Sequence, residues 1–464
     1  MGSRETVNRS YHEDSVEQAD HREGSQPIGD GVSHSSLDIS EGQPIFHNRG
    51  VSGEESLSAE AAFIHMVKAM LGTGLLSLPL AFKHSGLFLG LILMVIICIV
   101  CLHCMRQVVH AAHFVCSRNG RDLIDYANIM RGAVELGPEW LRHKGYFFKQ
   151  LVNVNMFVSQ LGFCCVYLVF MADNLEDFFT THTSIHLSKG VWMIVILIPL
   201  LGLCSIRRLP VLAPLCMAAN VVYICAVAIV LFFFVSNLRP VNSLPWFGSI
   251  YDLPLFFGTV MFAFEGVAVV MPIENRMREP SAFISWNGVL NSSCLFVLAI
   301  FAVTGFYGYL SLGDTVKDTA TLNLPDTTFY QAIKLMFVGC IMISYPLQFY
   351  VPMERVEKWI TRKIAPENQT RLVYAVRFGG VFFTLAIAEL IPHLALFISL
   401  IGAFSGASMA LVFPPFIELL VSNAKGELST FIICKNVFLL CVALLGFTTG
   451  TYAALSEIFK TFSS

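Results

Sequence analysis

Eleven apolar runs, most about twenty residues long, punctuate this 464-residue chain and restrict its fold more than any other feature. They lie at 61–82, 86–109, 149–172, 190–205, 211–236, 253–274, 285–310, 329–352, 372–391, 394–421 and 431–458. A helix needs about 20 mainly apolar residues to cross the hydrocarbon core of a bilayer. In lipid every backbone N–H and C=O must be bonded within the protein, so runs of this kind fold as helices. The expected class is an all-α polytopic membrane protein of about eleven transmembrane helices. Only 14% of the residues are charged, against about 25% in soluble domains. The net charge of -3, scattered in short clusters, offers no basic face to nucleic acid.

Residues 1–56 differ in kind, being rich in Ser, Gly, Glu, Asp and His, with no apolar stretch that could serve as a signal-peptide core. They are expected to form a disordered cytoplasmic tail ahead of a transmembrane domain over 57–464. Lys and Arg concentrate on the cytoplasmic side of membrane proteins. One set of loops carries Arg118, Arg121, Arg131, Arg142, Lys144, Arg207, Arg208, Arg276, Arg278, Arg355, Lys358, Arg362, Lys363 and Arg371. The other set has little beyond Lys83, Lys189, Arg239 and Lys317. A cytoplasmic N-terminus follows, and an odd number of spans puts the C-terminus outside. The multi-pass chain is expected in the plasma membrane or a lysosomal or late endosomal membrane.

All thirteen cysteines fall in spans or cytoplasmic segments, so no external disulfide is expected. Cys98, Cys101, His103 and Cys104 have ligand-type side chains, but they sit in or at the end of the second run, where cysteine packs as a small apolar residue. No metal or other cofactor is expected, and no charged triad converges at membrane depth to suggest an enzyme.

Two of the runs interrupt themselves. The first, "HMVKAMLGTGLLSLPLA", contains Gly72-Thr73-Gly74; the sixth, "FFGTVMFAFEGVAVVMP", contains Glu265-Gly266, and each run is closed by a proline, Pro79 or Pro272. A break at membrane depth persists only where protein or a watery cavity surrounds it. A half-helix beginning near Leu75 would offer free N–H groups and a positive dipole end to a carboxylate, and one ending near Leu71 would offer carbonyls to a cation or ammonium. Alternatively, the glycines let two helices pack closely. The first and sixth runs occupy corresponding places in two five-helix halves, the pattern of a transporter built from inverted repeats with its substrate bound where the breaks meet. The expected substrate contacts are Gly72, Thr73, Gly74 and Leu75 in one break and Phe264, Glu265 and Gly266 in the other.

A carboxylate at the bilayer centre costs roughly 2.5 kcal/mol or more. Glu265 is therefore expected to bind the substrate amine, carry a proton, or hold the unwound backbone by a hydrogen bond. His65 precedes Gly72 by seven residues, two helical turns or about 10 Å, and would share its face. An imidazole, which in water titrates at about pH 6.5, suits reversible protonation there. Lys68, one turn on, suits snorkelling to the interface.

The stretches "FIHMVKAMLGTGLLSLPLAFKHSG", "LVNVNMFVSQLGFCCVYLVFMADN", "LPLFFGTVMFAFEGVAVVMPIENRM" and "TLNLPDTTFY" through "SYPLQFYVP" closely resemble the proton-assisted amino acid transporters, the solute carrier 36 family of the amino acid/auxin permease group. The resemblance runs from about Ala61 to Glu457. It implies an APC/LeuT-type five-plus-five inverted repeat with helices 1 and 6 broken. It also implies symport of protons with small neutral amino acids such as glycine, alanine and proline, the family's coupling histidine falling on His65. The external cysteine pair of vertebrate members has no counterpart: 173–189 has none, and Asp326 stands at the expected position. Ser77 also replaces a small glycine common there. The alternatives are an amino acid receptor signalling nutrient status through partner proteins, and a sodium-coupled carrier for which Ser344 would supply a hydroxyl ligand.

The charge asymmetry makes a direct prediction. An epitope appended after Ser464 should be accessible from the outside, or the lumen of an organelle, in cells whose membranes are intact on the cytoplasmic side. Labelling that requires access from the cytoplasm would remove the eleven-span arrangement.

Overall fold

A computed structural model describes residues 56–463 apart from 121–122, 184–185, 207–208, 364 and 392. The expected tail therefore lies, but for Ser56, outside the described residues. The described residues are almost wholly helical. Among the described residues nine helices are long and apolar enough to cross a bilayer, and Ala59–Met70 with Thr73–Ser85 forms a tenth span bent by 54°. Lys189–Cys204, a shorter apolar helix, stands where the sequence places an eleventh; its 16 residues reach only about 24 Å at 1.5 Å per residue, a little short of the hydrocarbon thickness. In chain order the spans are 1 (Ala59–Met70, half-helix 1a, and Thr73–Ser85, half-helix 1b), 2 (Leu87–Asn119), 3 (Gly145–His182), 4 (Lys189–Cys204) and 5 (Leu209–Ser236). Then come 6 (Leu253–Ala263, 6a, and Val267–Glu274, 6b), 7 (Val289–Leu312), 8 (Thr328–Lys363), 9 (Pro366–Leu390), 10 (Leu394–Lys425) and 11 (Thr430–Ser463).

Several spans outrun their apolar cores. Span 2 continues to Asn119, where Gly120 ends it in the left-handed conformation (φ 59°) that glycine adopts without penalty. The extension packs on a short amphipathic helix, Tyr126–Leu136, which the apolar runs do not reveal. Asp125 caps that helix by accepting the Asn128 N–H (2.7 Å), and Tyr126, Ile129, Met130, Ala133 and Val134 turn its one apolar face inward. Span 10 departs from regular helix: the turns Gly402–Gly406 and Ser408–Val412 are widened to π geometry.

Apolar burial falls into two clusters. One gathers side chains of spans 1, 2, 6, 7 and the second half of span 10. The other gathers spans 3, 4, 5, 8, 9 and the first half of span 10. They meet along the broken helices: Leu75 and Ala263 belong to the first, and their neighbours Leu76 and Phe262 to the second. The outward surfaces remain apolar, with Ile92, Ile96 and Ile99 on span 2 and Phe431, Phe438, Leu445 and Tyr452 on span 11 exposed, as lipid-facing surfaces require.

Polar links tie the ends. Leu57 pairs with the segment after 6b in a parallel bridge with Met277: its N–H donates to Arg276 O (2.7 Å) and its carbonyl accepts from Arg278 N–H (3.0 Å). Glu274 at the end of 6b pairs with His113 of span 2 (2.7 Å), and Asn275 donates to Ile124 O (2.9 Å). At the opposite ends, Lys189 of span 4 pairs with Asp173 of span 3 (2.5 Å), and Lys334 of span 8, 1% exposed, pairs with Asp177 of span 3.

Breaking a buried pair by removing one partner leaves an uncompensated charge. Because Asp177 is 25% exposed, the cost is discounted to about 2 kcal/mol. Lys334→Met should lower the melting temperature of the purified protein by several degrees, and Lys334→Met with Asp177→Asn should recover most of that loss, as thermal unfolding of the single and double variants will show.

Candidate functional site

The first break lies one step earlier than the Gly-Thr-Gly motif suggests. Half-helix 1a ends at Met70 and 1b begins at Thr73, so only Leu71 and Gly72 are unwound, and Thr73 and Gly74 already form the first turn of 1b. Leu71 leaves the helix in an extended conformation after its N–H bonds Val67 O (3.0 Å), and Gly72, also extended, caps 1b by accepting the Leu75 N–H (3.1 Å). Pro79, expected to close the run, lies inside 1b, as Pro272 lies inside 6b. The sixth span breaks at Phe264, Glu265 and Gly266, where Gly266 N–H donates to Phe264 O (2.7 Å), and the chain runs on as one span over Leu253–Glu274.

The two breaks touch. A Cβ on Gly266 would strike the Met70 side chain at the end of 1a. A Cβ on Gly74 would stand 2.8 Å from the Ala263 Cα and 3.1 Å from its Cβ, so 1b and 6a cross at backbone distance. Gly74 thus has the close-packing role weighed for it in the sequence, whereas Gly72 has open surroundings, the nearest atom to its missing Cβ being Tyr167 Oη at 3.9 Å. Leu75 is fully buried in the apolar core, and Phe264, 1% exposed, packs edge-on against Phe301.

Polar groups with unmet hydrogen-bonding capacity converge here. The first N–H groups of 1b have no partner within their own helix, and the dipole of 1b adds positive potential there. Thr73 Oγ1 and Ser77 Oγ are buried in 1b without a hydrogen-bond partner. Glu265 accepts a hydrogen bond from Ser159 Oγ of span 3 through Oε1, while its Oε2 is buried and unpartnered. Gly406, in the widened turns of span 10, faces that oxygen; a Cβ there would sit 3.6 Å from it. The Gly72 carbonyl, besides the Leu75 N–H, accepts from Tyr223 Oη of span 5 (2.8 Å). In native structures most buried polar side-chain atoms have partners, so the unpartnered oxygens of Thr73, Ser77 and Glu265 on the two broken spans make the breaks the candidate site.

His65 stands apart from this group, on an exposed face of 1a. The seven-residue spacing that aligns it with Gly72 on a continuous helix does not do so here, because 1a stops at Met70 and the chain turns by 54°. Ser344 donates its hydroxyl to Cys340 O (2.9 Å) on its own helix. Ser159, Tyr223, Tyr167 and the span 10 turns are site residues that sequence pattern does not single out. The first three carry a signal nonetheless, each being a hydroxyl inside an apolar span.

An all-helical membrane protein whose two broken spans enclose buried, unsatisfied polar atoms is a carrier for a small polar solute. The chain belongs to the transmembrane amino acid transporter protein family, whose model matches residues 55–456. It is 32% identical over 405 residues, 86% of this chain and 85% of the relative, to the proton-coupled amino acid transporter-like protein pathetic of Drosophila melanogaster. It is 25% identical over 438 residues, 92% of this chain and 95% of the relative, to the probable amino acid transporter skat-1 of Caenorhabditis elegans. The resemblance drawn from the separated sequence motifs is thereby borne out, and the chain is a carrier rather than an enzyme.

The geometry separates the two glycines of the motif. Gly74→Val should be produced and inserted yet inactive, because any side chain there forces 1b from 6a. Gly72→Ala should keep its thermal stability within about 1 kcal/mol, having no close neighbour to displace. Uptake of labelled amino acid and melting temperature, measured on both variants, check this; normal uptake by Gly74→Val would contradict the backbone-distance crossing.

Proposed function

We propose that this transporter moves small neutral amino acids, of the glycine, alanine and proline class, together with protons. The observation that carries the reading is the meeting of the two breaks, Gly266 against Met70 and Gly74 against Ala263, with the buried Thr73 Oγ1 and Glu265 Oε2 left without a protein partner. A zwitterion matches such a place. Its carboxylate suits the N–H groups and positive dipole end of 1b, with the Thr73 hydroxyl as a further donor. Its ammonium suits the free carbonyls at the end of 1a and the Glu265 carboxyl. The contact of Met70 with Gly266 and the aromatic rings of Phe264 and Tyr167 leave little room for a long side chain, which favours small substrates.

Proton coupling rests on the named activity of the Drosophila relative and on two residues. His65, at the position of the family's coupling histidine, is exposed on 1a and open to protons from the side that its half-helix faces. Glu265 has no cationic partner among the described residues; a carboxyl so placed either holds a proton or faces a cation, and exchanging one for the other links proton and amine binding at one atom.

The test is uptake of labelled glycine, alanine and proline into sodium-free proteoliposomes, with and without an imposed pH gradient, normalised to folded protein. The wild type should accumulate substrate only with the gradient. His65→Ala should keep substrate binding but lose at least tenfold of the gradient-driven accumulation. Accumulation retained by His65→Ala but lost in Glu265→Gln would move the coupling site to Glu265, and binding without uptake by the wild type would make the protein a receptor.

A further inference from the structure

On the side that charge assigns to the cytoplasm, the start of span 3 and the end of span 8 line a cleft of about 520 Å³, within the range of small-molecule sites. Span 3 lines it with Lys149, Asn153 and Phe157, spaced i, i+4, i+8 along one face. Span 8 lines it with Arg355, Lys358, Trp359 and Arg362, again one face at i, i+3, i+4 and i+7. Four cations thus face one concavity against a single carboxylate, Asp125, and that carboxylate already accepts the N–H of Asn128 as a helix cap.

Among the described residues no carboxylate pairs with Lys149, Arg355 or Arg362. Arg355 is held in place by two uncharged acceptors, Asn153 Oδ1 (2.7 Å) and Met156 Sδ (3.7 Å), which orient the guanidinium without cancelling its charge. Lys358 pairs with Glu354 one turn back on the same helix (2.8 Å), but its side chain is 67% exposed and such a pair is weak. Trp359 is 59% exposed and Val154 58%, so the cleft has an apolar flank of the kind that sits at the headgroup level of a bilayer. A scattered excess of Lys and Arg needs no ligand, since it serves orientation alone. Converging cations from two spans, with a guanidinium pre-positioned by neutral groups and an aromatic rim at the interface, are a different arrangement, and basic pockets of this kind between helices take phosphorylated lipid headgroups.

We infer that this cleft binds a polyphosphorylated inositol headgroup presented by a lipid of the cytoplasmic leaflet, bridging spans 3 and 8. Arg355 and Arg362 supply the forked donors that match phosphate oxygens, Lys149 and Lys358 supply point charge, and the acyl chains leave past Val154 and Phe157.

The experiment titrates the purified full-length protein in micelles of a neutral detergent with dioctanoyl phosphatidylinositol 4,5-bisphosphate, following binding by thermophoresis. Parallel titrations use dioctanoyl phosphatidylserine and inositol 1,4,5-trisphosphate. The bisphosphate lipid should bind well above phosphatidylserine. Each cation removed should weaken it roughly fivefold, so Lys149→Gln with Arg355→Gln and Arg362→Gln should lose about a hundredfold. Lys144→Gln with Lys363→Gln and Arg371→Gln removes the same charge outside the cleft and should change affinity less than threefold. Arg362→Glu alone, on an exposed turn, gives the same direction should the triple variant not fold. Equal binding of inositol trisphosphate would assign the cleft to the headgroup irrespective of its chains, and weaker binding would assign it to the lipid. Equal losses in the two triple variants, equal binding of phosphatidylserine, or no binding by the wild type would overturn the inference.

Discussion

The backbone hydrogen bond, which lipid cannot replace, governs this structure. Every span obeys it by being a helix, and the two that interrupt themselves do so only where protein closes around them. The Gly72 carbonyl, at the first break, accepts from Tyr223 of span 5 besides the Leu75 N–H. The second break supplies its own closure in the Gly266 to Phe264 bond. What neither break satisfies is the set at the start of 1b and around Glu265, where Thr73 Oγ1, Ser77 Oγ and Glu265 Oε2 stay buried without a protein partner.

Glu265 sits on a seam. It belongs to span 6, whose neighbours Phe264 and Val267 pack in the first apolar cluster, yet the hydroxyl that reaches it comes from Ser159 of span 3, which helps build the second. A close-packed interior resists gradual deformation, so relative movement of the two clusters is concentrated where they meet. The Ser159 to Glu265 contact crosses that surface, as do the contacts that 1b and 6a make through Gly74. The candidate site therefore lies on the surface where the two clusters meet.

The spans and both breaks were legible because each is a one-dimensional property: apolar length, and glycine or a lone carboxylate inside it. The second half-helix begins at Thr73 rather than near Leu75 because Gly72 adopts an extended cap while Thr73 and Gly74 are free to start the next helix. The alignment of His65 with Gly72 failed for the related reason that helical periodicity does not survive a bend. Ser159 and Tyr223 were not selected because their importance depends on which residue of another span they reach, and periodicity carries no such information. The widened turns of span 10 begin where Gly402 closely approaches Gly258 and Phe262, a tertiary contact with no local signature. The helix at Tyr126–Leu136 escaped because its apolar residues occupy one stripe and never form a run.

The bridge between Leu57 and Met277 bears on how the bundle opens. It joins the free end of 1a to the free end of 6b through two backbone bonds, independent of side-chain identity. Two flaps hinged separately at Leu71 and Glu265 would have independent swings, and a leak would follow whenever either swung alone. Laced together at their tips they form a closed linkage with a single degree of freedom, so that while the lacing holds, neither half-helix departs without the other.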